Sequence, residues 1–120
     1  MVHSERLDGV EIISFTTDRI NALNVDAIRP AIIRLFDLPY TKVVIDLGGV
    51  NLLDSTAFAM ILHFLRVARS NYCTFRLCGL TPRARELFEL LQLHKSLDIY
   101  PDRASCVESF SHSGPSQTFD

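Results

Sequence analysis

The sequence predicts a single α/β domain built around a small, mixed, mostly parallel sheet. Three observations carry this prediction. An Asp8-Gly9 pair separates two segments of strand composition, a continuous apolar segment spans 42–47, and strand-like and helix-like segments alternate from there to residue 110. Such alternation is typical of layered domains with a parallel sheet, and an N-terminal hairpin makes the sheet mixed. The 120 residues fit one domain with a substantial core, which we expect over 1–110.

The N-terminal part combines a hairpin with one helix. Asp-Gly supplies the positive φ values that a type I′ turn requires, so strands are expected on both sides, the second over 10–16. Asn24 is the expected N-cap of the helix that follows, because apolar residues recur there at helical spacing. Pro30 interrupts this pattern, since it removes a backbone donor and clashes with the preceding turn. Either the helix kinks there or it begins near Ile28.

The remaining segments alternate between strand and helix. The apolar segment 42–47 is typical of a central strand covered on both faces, and a long helix follows Ser55. Thr81-Pro82 supplies a preferred cap and a preferred first residue for the next helix. We further expect strands at Thr74–Cys78 and 97–99, and a helix between them with an apolar face of Leu87, Leu90 and Leu91 that can include Phe88. A last helix is expected from Pro101 through Phe110, and a disordered tail at 111–120.

Composition argues against several classes of function. The formal net charge of −2 does not provide the basic face that nucleic acid binding demands. No apolar signal segment begins the chain, and no run approaches the roughly 18 apolar residues that cross a membrane, so we expect a cytoplasmic protein. The three cysteines, Cys73, Cys78 and Cys106, are an odd number without the spacing of a disulfide framework. This favours reduced, buried thiols over a redox or metal role. The scattered histidines and the Gly48-Gly49 loop match no metal or phosphate-loop motif, so no metal and no cofactor is expected.

Asp54-Ser55-Thr56 is the most informative segment, because it opens an apolar helix. A helix N-terminus has unpaired N–H groups and a partial positive charge, so it accommodates a capping hydroxyl or an anion. Ser55 therefore has three interpretations: a helix cap, a phosphoacceptor or a catalytic nucleophile. The nucleophile is disfavoured, since no Gly-x-Ser-x-Gly elbow surrounds Ser55 and no histidine is placed as a base. Thr56 is either the alternative acceptor or another cap, and Asp54 either orients the hydroxyl or helps to dock a kinase, or is a second cap.

The helix after Ser55 is too apolar to bury only one stripe. If Phe58, Ile61, Leu62 and Leu65 face the sheet, a second line at helical spacing lies on the flank or outside. This second line consists of Ala57, Met60, Phe64 and Val67. Two interpretations stay open: neighbouring helices cover the line, or it forms a partner-binding strip beside Ser55.

The segment 43–56 resembles the signature of STAS domains, and most of all that of bacterial anti-sigma factor antagonists. Their pattern is an apolar strand ending in Asp-Leu, a short loop, and Asp-Ser-Ser or Asp-Ser-Thr opening a helix. The segment 19–24 is similar as well, with Asn21 in place of the usual Asp, and so are 87–93 and 99–101. This resemblance implies a small sheet with helices packed mainly on one face.

The resemblance also implies a non-enzymatic, partner-switching function. The unphosphorylated domain would bind an anti-sigma factor, usually a Ser/Thr kinase, and free a sigma factor for transcription. Phosphorylation of Ser55 would end the complex, and a phosphatase would reset it. The expected partner-binding residues are Asn21, Asp54, Ser55, Thr56, Ala57, Met60 and Phe64. The alternatives are a STAS subunit that regulates or scaffolds a membrane transporter without phosphorylation, and a small hydrolase that uses Ser55.

The chain departs from this family pattern at two places. Gly commonly follows the Asp-Ser-Ser or Asp-Ser-Thr triplet, whereas here Ala57 and the bulky Phe58 follow it. Asn21 replaces an Asp near the presumed docking edge. Both departures concern the recognition of the partner rather than the fold.

Overall fold

The Asp8-Gly9 hairpin forms as predicted. In the computed structural model, which describes residues 1–111, Asp8 and Gly9 have φ values of 53° and 78°. These two positive values are those of a type I′ turn. The turn joins β1 (Val2–Leu7) to β2 (Val10–Phe15), and the two strands pair antiparallel along their whole length.

The rest of the described chain follows the predicted alternation, apart from two short strands, Arg19–Ile20 and Leu52–Leu53, that the sequence did not predict. In chain order the further elements are β3 (Arg19–Ile20), α1 (Val25–Ile33), β4 (Lys42–Asp46), β5 (Leu52–Leu53), α2 (Ser55–Ser70), β6 (Thr74–Cys78), α3 (Pro82–Leu90), β7 (Asp98–Tyr100) and α4 (Arg103–Ser111), with 3₁₀ turns at Arg34–Phe36 and Leu93–Lys95. Five strands form one sheet in the order β1-β2-β4-β6-β7, in which only β1 and β2 are antiparallel. The prediction of a mixed, mostly parallel sheet is therefore confirmed.

The helices divide unequally between the two faces of the sheet. Because neighbouring residues of a strand point to opposite faces, Val43 and Ile45 of β4 join the large core that includes α1, α2 and α3. Val44 between them joins a smaller cluster with Cys106 and Val107 of α4. Three helices thus cover one face and one helix covers the other, which confirms the expected arrangement.

Helix α1 tolerates its internal proline. The helix begins at Val25 and runs through Pro30 to Ile33, so it does not start near Ile28. Asn24 occupies the N-cap position, but its side chain caps none of the helix's own N–H groups. Its carboxamide instead accepts a hydrogen bond from the Asn21 N–H at 2.9 Å and holds the preceding loop.

Helix α2 buries most of both of its apolar lines and leaves Leu62 and Val67 half-buried. Ala57, Met60 and Phe64 are all buried, so their interpretation as an exposed partner-binding strip is wrong. The reason is the central position of α2 in the helical layer. The ring of Phe64 lies 6.3 Å from that of Phe36, which directly follows α1, and the Phe58 ring packs edge-on against Phe88 of α3 at 5.2 Å. The bulky Phe58 is thus a buried contact between α2 and α3.

Helix α3 begins as predicted but turns a different face inward. Thr81 is its N-cap, with Pro82 as the first helical residue, and the Thr81 Oγ1 accepts from the Ala84 N–H at 3.2 Å. The residues that α3 buries are Ala84 and Phe88, whereas Leu90 and Leu91 are exposed. The predicted leucine face is therefore wrong in its C-terminal half, because the register of α3 is set by Phe88 packing on Phe58.

Helix α4 ends the described chain. The Arg103 guanidinium contacts the Asp46 carboxylate at 3.1 Å and also pairs with Glu5, which fixes the start of α4 to the sheet. The predicted tail begins at residue 111, which is still helical here, and its other residues, 112–120, lie outside the described part of the chain. Within residues 1–111 we find no helix whose length and apolar character would let it span a bilayer.

Candidate functional site

A short parallel pair of strands brings two distant segments of the chain together. Arg19 of β3 lies opposite Leu52 of β5, and Ile20 lies opposite Leu53. The pairing continues into the site, because the Asp54 N–H donates to the Ile20 carbonyl at 3.3 Å. The segments 19–24 and 51–56, each singled out in the sequence, therefore form one surface.

Asp54, rather than Ser55, caps helix α2. Its Oδ1 accepts from the N–H groups of Thr56 at 2.9 Å and Ala57 at 3.1 Å, and its Oδ2 accepts from the Ala22 N–H at 3.0 Å. Of the two sequence-based interpretations of Asp54, the cap is therefore formed. The carboxylate also ties the loop before α1 to the start of α2, which a serine hydroxyl is too short to do.

The hydrogen bonds around Asp54 favour its ionised form. The largest cause is the Thr56 hydroxyl, which donates to Oδ1 at 2.5 Å and lowers the pKa of the carboxyl below its usual value. Partial desolvation opposes this shift, and the N–H groups of Ala57, Ala22 and Thr56 add to it. Asp54 is therefore a fixed negative charge at neutral pH, held by donors from two segments.

Ser55 and Thr56 differ in access. Ser55 is the first residue of α2 and is exposed, and its side chain makes no hydrogen bond to any residue between 1 and 111. Thr56 is half-buried, and its hydroxyl is engaged with Asp54. An enzyme that approaches from solvent can reach the Ser55 hydroxyl without breaking a bond of the native structure, whereas the Thr56 hydroxyl must first leave the cap.

The cap also changes what an anion at this helix terminus would meet. The N–H groups of Thr56 and Ala57, which a bound phosphate would otherwise use, already donate to Asp54. A phosphate on Ser55 would still be favoured by the helix dipole, but it would lie next to a carboxylate. The phosphate oxygens would therefore contact mainly solvent or a bound partner.

Two asparagines order the loop between β3 and α1. The Asn24 Nδ2 donates to the Arg19 carbonyl at 3.0 Å, and its Oδ1 accepts from the Asn21 N–H. The Asn21 Oδ1 in turn accepts from the N–H of Leu23 at 2.9 Å. Asn21 therefore shapes the turn through its neutral amide while its side chain remains half-buried beside Asp54.

A groove of about 480 Å³ opens where these segments meet α3. We call it the switch groove. It is lined by Arg19, Ile20, Asn21, Leu52, Leu53, Asp54, Arg83 and Leu87. The structure thus brings Asn21 and Asp54 together and leaves Ser55 and Thr56 directly after Asp54 at the start of α2. Ala57, Met60 and Phe64 lie in the core instead.

Six lining residues were not predicted as site residues from the sequence: Arg19, Ile20, Leu52, Leu53, Arg83 and Leu87. Leu52 is 39% exposed although it lies in an apolar segment. The sequence signal for Arg83 was its position with Arg85 directly after Thr81-Pro82. The sequence alone favours both arginines as solvated or rim residues. Among residues 1–111 no cluster of three or more histidine, cysteine, aspartate or glutamate side chains could hold a metal ion.

Comparison with known proteins identifies relatives of this fold. The family model of the STAS domain matches residues 2–106. The structure is similar to an anti-sigma-factor antagonist (STAS) domain protein from Planctomyces limnophilus, with 18% identity, a TM-score of 0.84 and coverage of 92% of this chain and 97% of that one.

Two further structures are similar over most of both chains. An anti-sigma factor antagonist from Mycobacterium paratuberculosis has 24% identity, a TM-score of 0.80 and coverage of 91% and 92%. The anti-sigma factor antagonist SpoIIAA in its unphosphorylated form has 14% identity, a TM-score of 0.75 and coverage of 95% and 99%. Among curated proteins, none is significantly similar in sequence. At identities this low, the structural similarity establishes a shared fold alone.

Proposed function

Because the chain belongs to the STAS domain family, we propose that it is an anti-sigma factor antagonist controlled by phosphorylation of Ser55. In its unphosphorylated state it binds an anti-sigma factor that is also a Ser/Thr kinase, and a sigma factor is thereby freed for transcription. The kinase phosphorylates Ser55, the complex dissociates, and a phosphatase restores the binding state. The domain itself is a non-enzymatic partner in the cytoplasm and requires no cofactor.

The observation that carries this proposal is the separation of capping from modification. Asp54 makes the hydrogen bonds that hold the start of α2, so the exposed Ser55 hydroxyl is not needed for them. Ser55 can therefore change its charge without loss of the cap. The switch groove lies beside it, so a partner seated there would contact the modified residue.

The magnitude of the charge effect is sufficient for a switch. Phosphate adds about −1.5 to −2 charges at neutral pH. One unit charge about 4 Å from a carboxylate of the partner costs on the order of 4 kcal/mol at an effective dielectric constant near 20. Half of that repulsion would weaken binding roughly 30-fold, because ~1.4 kcal/mol corresponds to a factor of ten. The fixed charge of Asp54, the residue before Ser55, would add to the negative charge of the phosphate itself.

The first test locates the phosphate. The chain is incubated with the co-purifying kinase and ATP, and the modified residue is mapped by mass spectrometry in wild type, Ser55→Ala and Thr56→Ala. We expect phosphate on Ser55, its loss in Ser55→Ala, and its retention in Thr56→Ala. Phosphate chiefly on Thr56, or on no residue of this segment, would refute the assignment.

The second test identifies the partner. The tagged chain is purified by affinity from native cells in which it is unphosphorylated. We expect a kinase-like anti-sigma factor to co-purify with it. Recovery of a membrane transporter instead would favour a scaffold role for the STAS domain. Covalent labelling of Ser55 by a fluorophosphonate would favour a hydrolase, and either result would count against the proposal.

A further inference from the structure

The switch groove combines an apolar floor with positive charge on two sides. Leu52 from β5 and Leu87 from α3 line its floor. Arg19 from β3 and Arg83 from the first turn of α3 contribute the guanidinium groups. These four side chains come from three elements, so only the folded domain presents them together.

Helix α3 extends the apolar floor along the surface. Leu90 is 76% exposed and Leu91 is 51% exposed, and they follow Leu87 by three and four residues. Residues at these spacings lie on one side of a helix. Contiguous exposed apolar side chains of this kind mark interaction surfaces more often than isolated ones do. An occupant with apolar side chains at helical spacing would match this line of leucines.

The charges define the occupant further. The Asp54 carboxylate in the groove is occupied by donors of its own chain, whereas Arg83 has no ion pair with any residue between 1 and 111. Arg83 lies in the first turn of α3, where the helix dipole disfavours a cation, so helix stability does not account for it. Within the described residues 1–111, Arg19 is paired only with the exposed Asp18, a contact of little energetic value. The rim is thus positive in a chain of formal net charge −2.

We propose that the switch groove binds an acidic, amphipathic helical segment of the partner, with its apolar side on Leu52, Leu87 and the exposed leucines and its carboxylates on Arg19 and Arg83. This proposal rests on the proposed function, since it assigns the segment to the anti-sigma factor. It also explains how the switch acts. A phosphate on Ser55 beside a groove that receives carboxylates would repel the same segment that the arginines attract.

The test uses two synthetic peptide probes that form amphipathic helices with the same leucines, one bearing glutamates and the other lysines. Each is titrated into the isotope-labelled full chain, and backbone amide shifts are followed by NMR. We expect the glutamate peptide to bind and to shift amides of β3, β5 and α3. Arg83→Glu should weaken this binding about 5- to 10-fold, as expected for reversal of a rim charge.

The matched control is Arg85→Glu, an exposed arginine of the same helix turn that does not line the switch groove. It makes the same change in net charge near the same helix N-terminus, and should leave the affinity within about twofold. Three binding results would each overturn the proposal: no binding of the glutamate peptide, equal binding of the lysine peptide, or equal effects of the two substitutions. Amide shifts at the exposed Tyr40 and Tyr72 instead of at the switch groove would overturn it as well.

The same variants separate this inference from the proposed function. If the anti-sigma factor recovered by purification binds wild type and Arg83→Glu equally, the acidic-segment proposal fails while the switch stands. If Ser55 is never phosphorylated but the glutamate peptide binds as described, the switch fails and the groove retains its specificity for acidic segments.

Discussion

Replacing Ser55 by alanine tests the reassignment of the α2 cap. The N–H groups of Thr56 and Ala57, in the first turn of the helix, donate to Asp54 at 2.9 and 3.1 Å, and neither donates to Ser55. The Ser55 side chain is exposed and lacks a hydrogen-bond partner in residues 1–111. We therefore expect Ser55→Ala to change the free energy of unfolding by no more than about 0.5 kcal/mol, the usual range for an exposed substitution.

Thr81→Ala is the matched control, because Thr81 does what Ser55 does not. Its Oγ1 accepts from the Ala84 N–H at 3.2 Å and donates to the Val50 carbonyl at 3.4 Å. Loss of such a cap costs about 1 kcal/mol. In a domain of this size that corresponds to a melting temperature lower by about 4 °C. The residue does not line the switch groove, so partner binding should be nearly intact.

The measurement is urea unfolding of wild type, Ser55→Ala and Thr81→Ala, followed by circular dichroism at neutral pH, with thermal melts as a second readout. The expected order of midpoints is wild type equal to Ser55→Ala, with Thr81→Ala below both. An equal loss of stability in the two variants would mean that the Ser55 hydroxyl caps α2 in solution. In that case the argument that capping and modification are separate would fail, and phosphorylation would be expected to disturb the helix.

Three further predictions follow from the same geometry. Because the folded-state pKa of Asp54 is lowered, its stabilising effect should be present above the unfolded value near 3.8 and lost as pH falls through the folded pKa; Asp54→Asn should therefore flatten urea midpoints measured from pH 2 to 6. Phe88→Ala should cost about 3–5 kcal/mol, because the ring is fully buried, whereas Leu90→Ala should stay within about 0.5 kcal/mol, and chemical denaturation checks both. Ser55→Asp should weaken partner binding less than phosphate does, since it adds one charge on a shorter side chain; calorimetric titration showing equal affinities for Ser55→Ala and Ser55→Asp would contradict an electrostatic switch.

Local signals predicted the elements well, because the relevant interactions are short in sequence. Asp8-Gly9 requires only its own φ values to form the turn, and Thr81-Pro82 requires only the next turn of helix. The segment Asp54-Ser55-Thr56 was located for the same reason, since it follows an apolar strand and opens an apolar helix. The roles of Asn21, Asp54 and Ser55 in partner binding stay predictions.

Assignments that depended on exposure were less reliable. The sequence left open whether Ala57, Met60 and Phe64 faced a partner or the core, because an apolar residue at helical spacing fits both. Packing of α2 between α1 and α3 buried them. The opposite error concerned Leu90 and Leu91, which the periodicity of α3 assigned to a buried face and the structure exposes.

The sequence by itself determined the chain order of the five main-sheet strands and the helices, the hairpin, and the position of a serine at the start of α2, but not the short strands β3 and β5. Tertiary structure decided which residue caps that helix and what surrounds the serine. Asp54 reaches the N–H of Ala22, 32 residues before it in the sequence, only because β3 pairs with β5, and Arg83 reaches the same groove only because Phe88 packs α3 against α2. Contacts at such separations depend on how all the layers pack together, and that information is absent from the local pattern of residues around any one of them.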